Sequence, residues 1–395
     1  MSNPAGAAFR RMTARRRDEA HRASTPLELF FDLCFVVAIA QAGARLVHAL
    51  AAGHPGNGVV GYLLVFFGIW WAWMNFSWFA SAYDTDDVLY RINTLVQITG
   101  VLVYAAGVPR AFDDGDWTIA VIGYSVMRLA LATQWLRAAH GETGDARGCA
   151  LRYTVGVTVC QIGWIGLLFV PDGARVWTFL GMVLAELSVP LFAERHHPTT
   201  WHPGHIAERY GLFTIIVLGE TIAAATVAVQ SALDEHEAVT ELLPIAGGGL
   251  LIVFAAWWIY FAVPIEEHLT SNREAIPWGY GHYIVFVSAA AIGAGLEVAV
   301  EQSVGKAEIS ARAASAAVTV PTAVLFFTVW LLHSRHYKRG AAQQLVLPVA
   351  SLLILACTFC GAAAVLLAGA VSALAVAAGV TLVRRNASAT GSVTA

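Results

Sequence analysis

Long apolar stretches dominate this sequence and restrict the chain to one class of fold. An α-helix needs roughly 20 mainly apolar residues to cross a hydrocarbon core of about 30 Å. The sequence holds twelve such stretches, at residues 27–50, 58–80, 90–108, 117–137, 151–171, 174–193, 208–232, 242–264, 280–300, 311–333, 344–362 and 364–383. We therefore predict an all-α, polytopic transmembrane helical bundle of about 12 spans.

The last two spans depend on a single break. Residues 345–383 are almost continuously apolar, and only the region around Gly361 interrupts them. If this break does not separate two helices, the count falls to ten or eleven.

The composition excludes the main alternative classes of protein. Hydrophobic residues make up 57% of the chain and charged residues only 13%, whereas charged residues make up about a quarter of a soluble domain. A soluble globular protein is therefore excluded. The net charge of −3 gives no reason to expect a nucleic-acid partner. The five cysteines lie in or beside apolar runs, so no disulfide framework is predicted. No motif for a cofactor, a metal or hydrolytic catalysis is found.

Basic residues predict the orientation in the membrane. The first 26 residues are rich in arginine and have no apolar core, so they resemble a cytoplasmic tail rather than a signal peptide. With the N-terminus inside, all but six of the 24 Lys and Arg residues face the cytoplasm; the six are Arg45, Arg110, Arg128, Arg175, Lys306 and Arg312. This asymmetry follows the positive-inside rule and predicts that both termini lie in the cytoplasm.

Similar short segments recur in the two halves and predict an internal repeat. The segment that begins at Glu28 matches the one at Glu208, and Trp70-Trp71 matches Trp257-Trp258. Six helices in each half would give both halves the same orientation in the membrane. The predicted organisation is a cytoplasmic N-terminal tail (1–26), a first six-helix repeat (27–193), a His- and Pro-rich cytoplasmic linker (194–207), a second repeat (208–383) and a cytoplasmic C-terminal tail (384–395).

Ionisable residues lie in or next to the predicted spans. A charged side chain near the bilayer centre costs about 2.5–3.5 kcal/mol on insertion scales, so such residues normally face protein or water and mark functional sites. The candidates for an ion or proton pathway are Glu28, Asp32, Arg128, Glu186, Glu208, Glu220, His282 and Glu297.

Glu28 and Asp32 are four positions apart and share one helical face. Two neighbouring carboxylates in a low dielectric do not both ionise cheaply, so we expect one of them to exchange protons. The four acids inside the spans face one fixed cation, Arg128, which neutralises only one of them. The alternative is that these residues are structural polar contacts between helices.

Aromatic residues and histidines suggest two further features. Trp70, Trp71, Trp73, Trp257 and Trp258 are candidates for an aromatic-lined cavity, and the alternative is an aromatic belt at the membrane interface. The linker histidines are best explained as a solvated loop, since Pro198, Pro203 and Gly204 prevent the helix that would align them on a metal; they are His196, His197, His202 and His205.

Three segments resemble the bacterial low temperature requirement protein A family. They are Thr25-Pro-Leu-Glu-Leu-Phe-Phe-Asp32, Tyr83-Asp-Thr-Asp-Asp87 and His205-Ile-Ala-Glu-Arg209 with its continuation to Glu220, and the likeness runs from about residue 25 to 335. It implies a bacterial multi-pass inner-membrane protein and draws attention to Asp32, Glu208, Arg209 and Glu220 without giving them roles. More distantly, residues 28–35 are similar to the Phe-Ser-Asp opening of a channel family with two six-helix repeats, with Phe31 in place of the serine.

Three functions remain open on the sequence. The first is a proton- or cation-linked transporter or channel with its carboxylates between the two repeats. The second is a membrane-embedded enzyme acting on a lipid or isoprenoid, with Asp86 or Glu220 as the acid. The third is a non-catalytic membrane scaffold in cold adaptation. The expected partners are the lipid bilayer and a proton, cation or small organic substrate; the sequence does not fix whether a homo-oligomer forms.

Overall fold

The computed structural model is built from α-helices joined by short turns. It describes residues 9–17, 19, 22–236, 239–338 and 340–391, and no strand occurs among them. Twelve helices of 17 residues or more follow in order: α1 Pro26–Ala51, α2 Pro55–Tyr83, α3 Val88–Asp113, α4 Thr118–Gly141, α5 Gly144–Leu167, α6 Asp172–Ala193, α7 Pro203–His236, α8 Val239–Tyr260, α9 Asn272–Ser303, α10 Ala311–Val329, α11 Ala341–Cys357 and α12 Ala364–Gly391.

Membrane-spanning character is clear in most of these helices. Ten segments of the described chain are long and apolar enough to cross a membrane, by length and composition. Of the other two helices, α5 has the length but not the apolarity, and α11 is apolar but has 17 residues. The all-α polytopic bundle predicted from the sequence is confirmed.

Local sequence signals set the helix boundaries. Proline occupies the first position of α1, α2 and α7, where its missing N–H costs nothing. The carboxylate of Asp87 accepts a hydrogen bond from the backbone N–H of Tyr90 and caps α3. Gly361 adopts a φ of +58°, a left-handed conformation that favours glycine, in the turn that separates α11 from α12.

The described chain divides into two compact units. The first unit comprises residues 1–42 and 64–210, and the second comprises 43–63 and 211–395. Helices α1, α2 and α7 contribute residues to both units. The predicted six-helix repeats have other boundaries and remain a prediction.

Glycines allow close helix packing in the first unit. A Cβ atom on Gly123 of α4 would lie 2.3 Å from the backbone nitrogen of Tyr104 in α3. A Cβ on Gly107 of α3 would lie 2.4 Å from the backbone nitrogen of Ala120. Small residues of this kind let two helix backbones approach closely without a hydrophobic driving force.

The described residues before α1 pack against other parts of the first unit. Met12 is buried, the backbone N–H of Arg15 donates to the carbonyl of Ala82, and Arg11 Nε donates to the carbonyl of Gly141. The described part of the predicted N-terminal tail therefore covers helix ends instead of extending freely from α1.

Candidate functional site

A buried ion pair joins α1 to α7 in the first unit. An oxygen of the Asp32 carboxylate lies 2.6 Å from Nη2 of Arg209, and both side chains are 0% exposed. The same oxygen accepts a hydrogen bond of 2.7 Å from the indole N–H of Trp73, and Arg209 Nη2 also lies 3.3 Å from the hydroxyl of Ser77. Helix α2 therefore supplies a donor to each member of the pair.

A second pair lies one helical turn earlier on the same two helices. Nε2 of His205 is 3.1 Å from a carboxylate oxygen of Glu28, and both side chains are 0% exposed. Glu28 precedes Asp32 by four residues, and His205 precedes Arg209 by four, so each helix presents both of its groups on one face. The two helices thus meet through two successive acid–base pairs.

Arg22 and Asp84 extend this network at the end of α2. Nη2 of Arg22 lies 3.7 Å from Glu28 and 3.6 Å from Asp84. The Arg22 guanidinium also donates to the carbonyls of Ala80 and Ser81, which are among the last carbonyls of α2. A cation at this position satisfies a helix C-terminus as well as the two carboxylates. We refer to Arg22, Glu28, Asp32, Asp84, His205 and Arg209 as the six-residue network.

The charges of the six-residue network do not balance when His205 is neutral. Three carboxylates face two guanidinium groups, and every member is buried. Among the neighbours, Glu208 is half-buried and accepts hydrogen bonds from the backbone N–H of Ser24, and Arg15 and Glu19 neutralise each other at 2.6 Å. The hydroxyl of Tyr90 adds no charge at neutral pH. One additional proton would bring the six-residue network to zero net charge.

Several buried atoms of the network have no hydrogen-bond partner among the residues that the structure describes. They include Oδ2 of Asp32, Nδ1 of His205, and Nε and Nη1 of Arg209. Oδ1 of Asp32 accepts the bonds from Trp73 and Arg209, so its second oxygen is free to take up a proton. Unsatisfied buried polar groups are uncommon in native proteins, and they need a physical explanation.

Asp84 responds to pH in a way that can be measured. It lies outside the spans, and burial, with the negative charge of Glu28 nearby, raises its pKa from the ordinary 3.8 to about 6. The Asp84 carboxyl therefore binds a proton more tightly in the folded protein than in the unfolded chain. Ionisation of Asp84 destabilises the fold as the pH rises from about 4 through about 6.

Asp84→Asn should remove that pH dependence, because asparagine does not ionise. The substitution keeps the oxygen that accepts a hydrogen bond from the backbone N–H of Asp86. We expect the stability of the variant relative to the wild type to rise by about 2 kcal/mol between pH 4 and pH 7. Thermal unfolding in detergent at several pH values measures this difference. A difference that does not change with pH would contradict the assignment.

The acid Glu186 and the cation Arg128 form a separate buried pair in the first unit. Their charged atoms lie 2.7 Å apart, and both side chains are almost completely buried. Trp71 and Trp164 donate to the Glu186 carboxylate at 2.9 and 3.0 Å, and the Tyr124 hydroxyl lies 3.4 Å away. Glu186 is thus neutralised and surrounded by donors, as a structural ion pair should be.

The sequence profile of the bacterial low temperature requirement A protein (LtrA) family matches residues 23–381. The chain belongs to the LtrA family. The match covers α11 and most of α12, which lie beyond the end of the likeness at about residue 335. An uncharacterized protein of Rhizobium meliloti (strain 1021) is 30% identical over 250 residues, which are 61% of this chain and 58% of that relative. With its apolar helices, this LtrA family member is a multi-pass membrane protein.

The remaining candidate acids lie in the second unit of this LtrA family protein. Glu220 of α7 and Glu297 of α9 are half-buried. Neither has an ion-pair or hydrogen-bond partner among the residues that the structure describes. They differ in this respect from Asp32 and Glu186, whose cations the structure supplies.

His282 is buried in a histidine cluster of the second unit. Its Nδ1 lies 2.7 Å from the carbonyl of Trp278, and its Nε2 lies 3.0 Å from the hydroxyl of Tyr260 and 3.4 Å from Nε2 of His333. His333 belongs to a π-helical turn, Trp330–Ser334, that follows α10. Such turns recur at functional sites.

The tryptophan candidates separate into two groups. Trp70, Trp71 and Trp73 of α2 are buried and pack against other rings, whereas Trp257 and Trp258 of α8 are about half exposed. A cavity of about 20 Å³ lies beside Phe67, in contact with α2, which is about the volume that one water molecule needs and far too small for an organic substrate. The buried tryptophans thus serve packing and hydrogen bonding to Asp32 and Glu186.

Sequence reasoning gives no role to four members of the six-residue network. The family resemblance draws attention to Arg209 without a role, and Arg22 counts only among the cytoplasmic charges. Asp84 appears only in a segment that carries the resemblance, and the sequence predicts a solvated loop around His205. The last prediction is wrong for His205, which is completely buried within α7. A usable signal existed, since His205 and Arg209 repeat the four-residue spacing of Glu28 and Asp32.

Proposed function

We propose that the protein is a proton-linked transporter or channel of the bacterial inner membrane, with both termini in the cytoplasm. Its exchangeable proton would reside in the six-residue network, on Asp32 or between Glu28 and His205. The observation that carries this proposal is the charge count, because three buried carboxylates oppose only two buried guanidinium groups.

The charge imbalance supplies the driving force for proton binding. An unpaired charge costs several kcal/mol in a buried site, so the network gains stability when it takes up one proton. Either Oδ2 of Asp32, which has no partner among the described residues, or the 3.1 Å contact of His205 with Glu28 could hold the proton. Coupled groups of this kind titrate as a unit, and proton relays in membrane proteins are built from Asp, Glu and His.

Glu220 and Glu297 support the same proposal from the second unit. They are half-buried carboxylates in apolar helices, and they lack a cation among the described residues. A carboxylate in such a place is normally protonated, bound to a cation or exposed to water. We therefore assign them, with Glu208 and His282, to the proton or cation pathway. We assign the Arg128–Glu186 pair to structural support.

Flux measurements in liposomes test the proposal. We expect the reconstituted wild type to move protons under a pH gradient, and Asp32→Asn and Glu28→Gln to lose at least nine-tenths of that flux. Asp86→Asn is the matched control, because it makes the same chemical change in an exposed pair with Arg91. Flux under a potassium gradient alone would indicate a cation as the transported species.

Two results would contradict the proposal. The first is a folded wild type without flux under either gradient. The second is wild-type flux in folded Asp32→Asn and Glu28→Gln variants, because the network would then be a structural element only.

A further inference from the structure

An open groove in the second unit combines apolar walls with a basic end. It has a volume of about 560 Å³ and is lined along its length by Ile259, Leu347, Val376 and Val380. Its remaining lining includes the side chains of Tyr337, Lys338 and Arg384. The groove therefore offers a surface for a hydrocarbon chain and cations for an anion.

Lys338 is the principal cation of the groove lining. It lies outside the spans, in the turn before α11, and its side chain is half-buried. Burial lowers the pKa of its ammonium group, and no carboxylate pairs with it among the described residues. The hydroxyl of Tyr337, also in the groove lining, is buried and has no hydrogen-bond partner in the described part of the chain. The ammonium group of Lys338 and the hydroxyl of Tyr337 are thus available to an anionic acceptor.

The turn that carries Lys338 is held in place. The side-chain amide of Gln344 donates to the carbonyls of Arg335 and Lys338, and its oxygen accepts a bond of 3.0 Å from the indole N–H of Trp330. These contacts restrict the backbone at the basic end of the groove. An anion would therefore meet a prearranged site rather than a mobile loop.

We infer that this groove binds an anionic phospholipid, with the phosphate on Lys338, Tyr337 and Arg384 and one acyl chain along the apolar wall. Charge complementarity selects an anion, and the apolar walls select an amphiphile over inorganic phosphate. Basic pockets between transmembrane helices bind acidic lipid headgroups in this way. Trp258 also lines the groove, and tryptophan commonly lies at the level of lipid headgroups.

Lipid titration of the delipidated, detergent-solubilised protein tests this inference. Phosphatidylglycerol should raise the unfolding temperature at lower concentrations than phosphatidylcholine with the same acyl chains. Lys338→Gln should weaken the apparent affinity for phosphatidylglycerol about five- to tenfold, since one basic residue contributes about 1 kcal/mol to anionic lipid binding. Lys338→Arg should retain the affinity, and Leu347→Trp should reduce it by filling the groove.

Arg335→Gln is the matched control, because Arg335 is an exposed basic residue close in sequence that does not line the groove. Equal stabilisation by the two lipids would overturn the inference. So would equal loss in Arg335→Gln and Lys338→Gln, which would indicate nonspecific surface charge. Competition by millimolar inorganic phosphate alone would identify an ion site without a lipid.

Discussion

Arg209→Gln is expected to lower the free energy of unfolding by about 3–5 kcal/mol, because it leaves the carboxylate of Asp32 buried without its cation. Asp32→Asn should have a smaller effect, because it leaves Arg209 without its carboxylate but also brings the six-residue network to zero net charge. The double variant Asp32→Asn, Arg209→Gln removes both charges and should be more stable than Arg209→Gln. Unfolding in detergent, with all four proteins compared, gives the coupling energy of the pair.

The Asp86–Arg91 pair is the matched control for this cycle. It has similar hydrogen-bond lengths of 2.7 Å, but both side chains are about half exposed. An exposed pair typically contributes 0–1 kcal/mol, so its cycle should give a small coupling energy. Equal coupling energies in the two cycles would show that the Asp32–Arg209 pair is not buried, and would contradict this prediction.

Arg128→Met should also destabilise the protein by about 3–5 kcal/mol, for the same electrostatic reason. The Glu186 carboxylate would keep its donors from Trp71, Trp164 and Tyr124 but lose its only paired cation among the described residues. Glu186→Gln combined with Arg128→Met should recover part of the loss. Unfolding temperature and the yield of monodisperse protein measure these effects.

This second pair also separates structural from functional roles. We expect the double variant of Arg128 and Glu186 to move protons at the wild-type rate per folded molecule, because this pair is already neutral and the Glu186 carboxylate accepts from several donors. Loss of flux in a stably folded double variant would show that the pair lies on the pathway, and our assignment of it to structural support would be wrong.

The helices could be predicted from the sequence because hydropathy and helix length are local properties. The break at Gly361 is visible in the sequence as a glycine in an apolar run, and the structure has one helix on each side of it. The packing of the residues before α1 was not visible. Those arginines have the composition of a solvated tail, and only the tertiary structure brings Arg22 to the end of α2.

The acids of the candidate site could be predicted, but their partners could not. Asp32 is conspicuous as a charge in an apolar run, whereas Arg209 lies 177 positions away, near the start of a helix. A residue at a helix end can be either solvated or buried, and the sequence near it does not decide between them. The charge excess deduced from the sequence was therefore too large for the first unit, where Arg209 neutralises Asp32 and Arg128 neutralises Glu186.

Proton flux through liposomes that contain the double variant Asp32→Asn, Arg209→Gln tests the central claim most directly. This variant keeps the net charge of the network and should fold, but it lacks the Asp32 carboxylate, which is one of the two proposed proton positions and titrates as a unit with Glu28 and His205. We predict a stability within about 2 kcal/mol of the wild type and no flux above that of empty liposomes. Wild-type flux through the folded double variant would contradict the account.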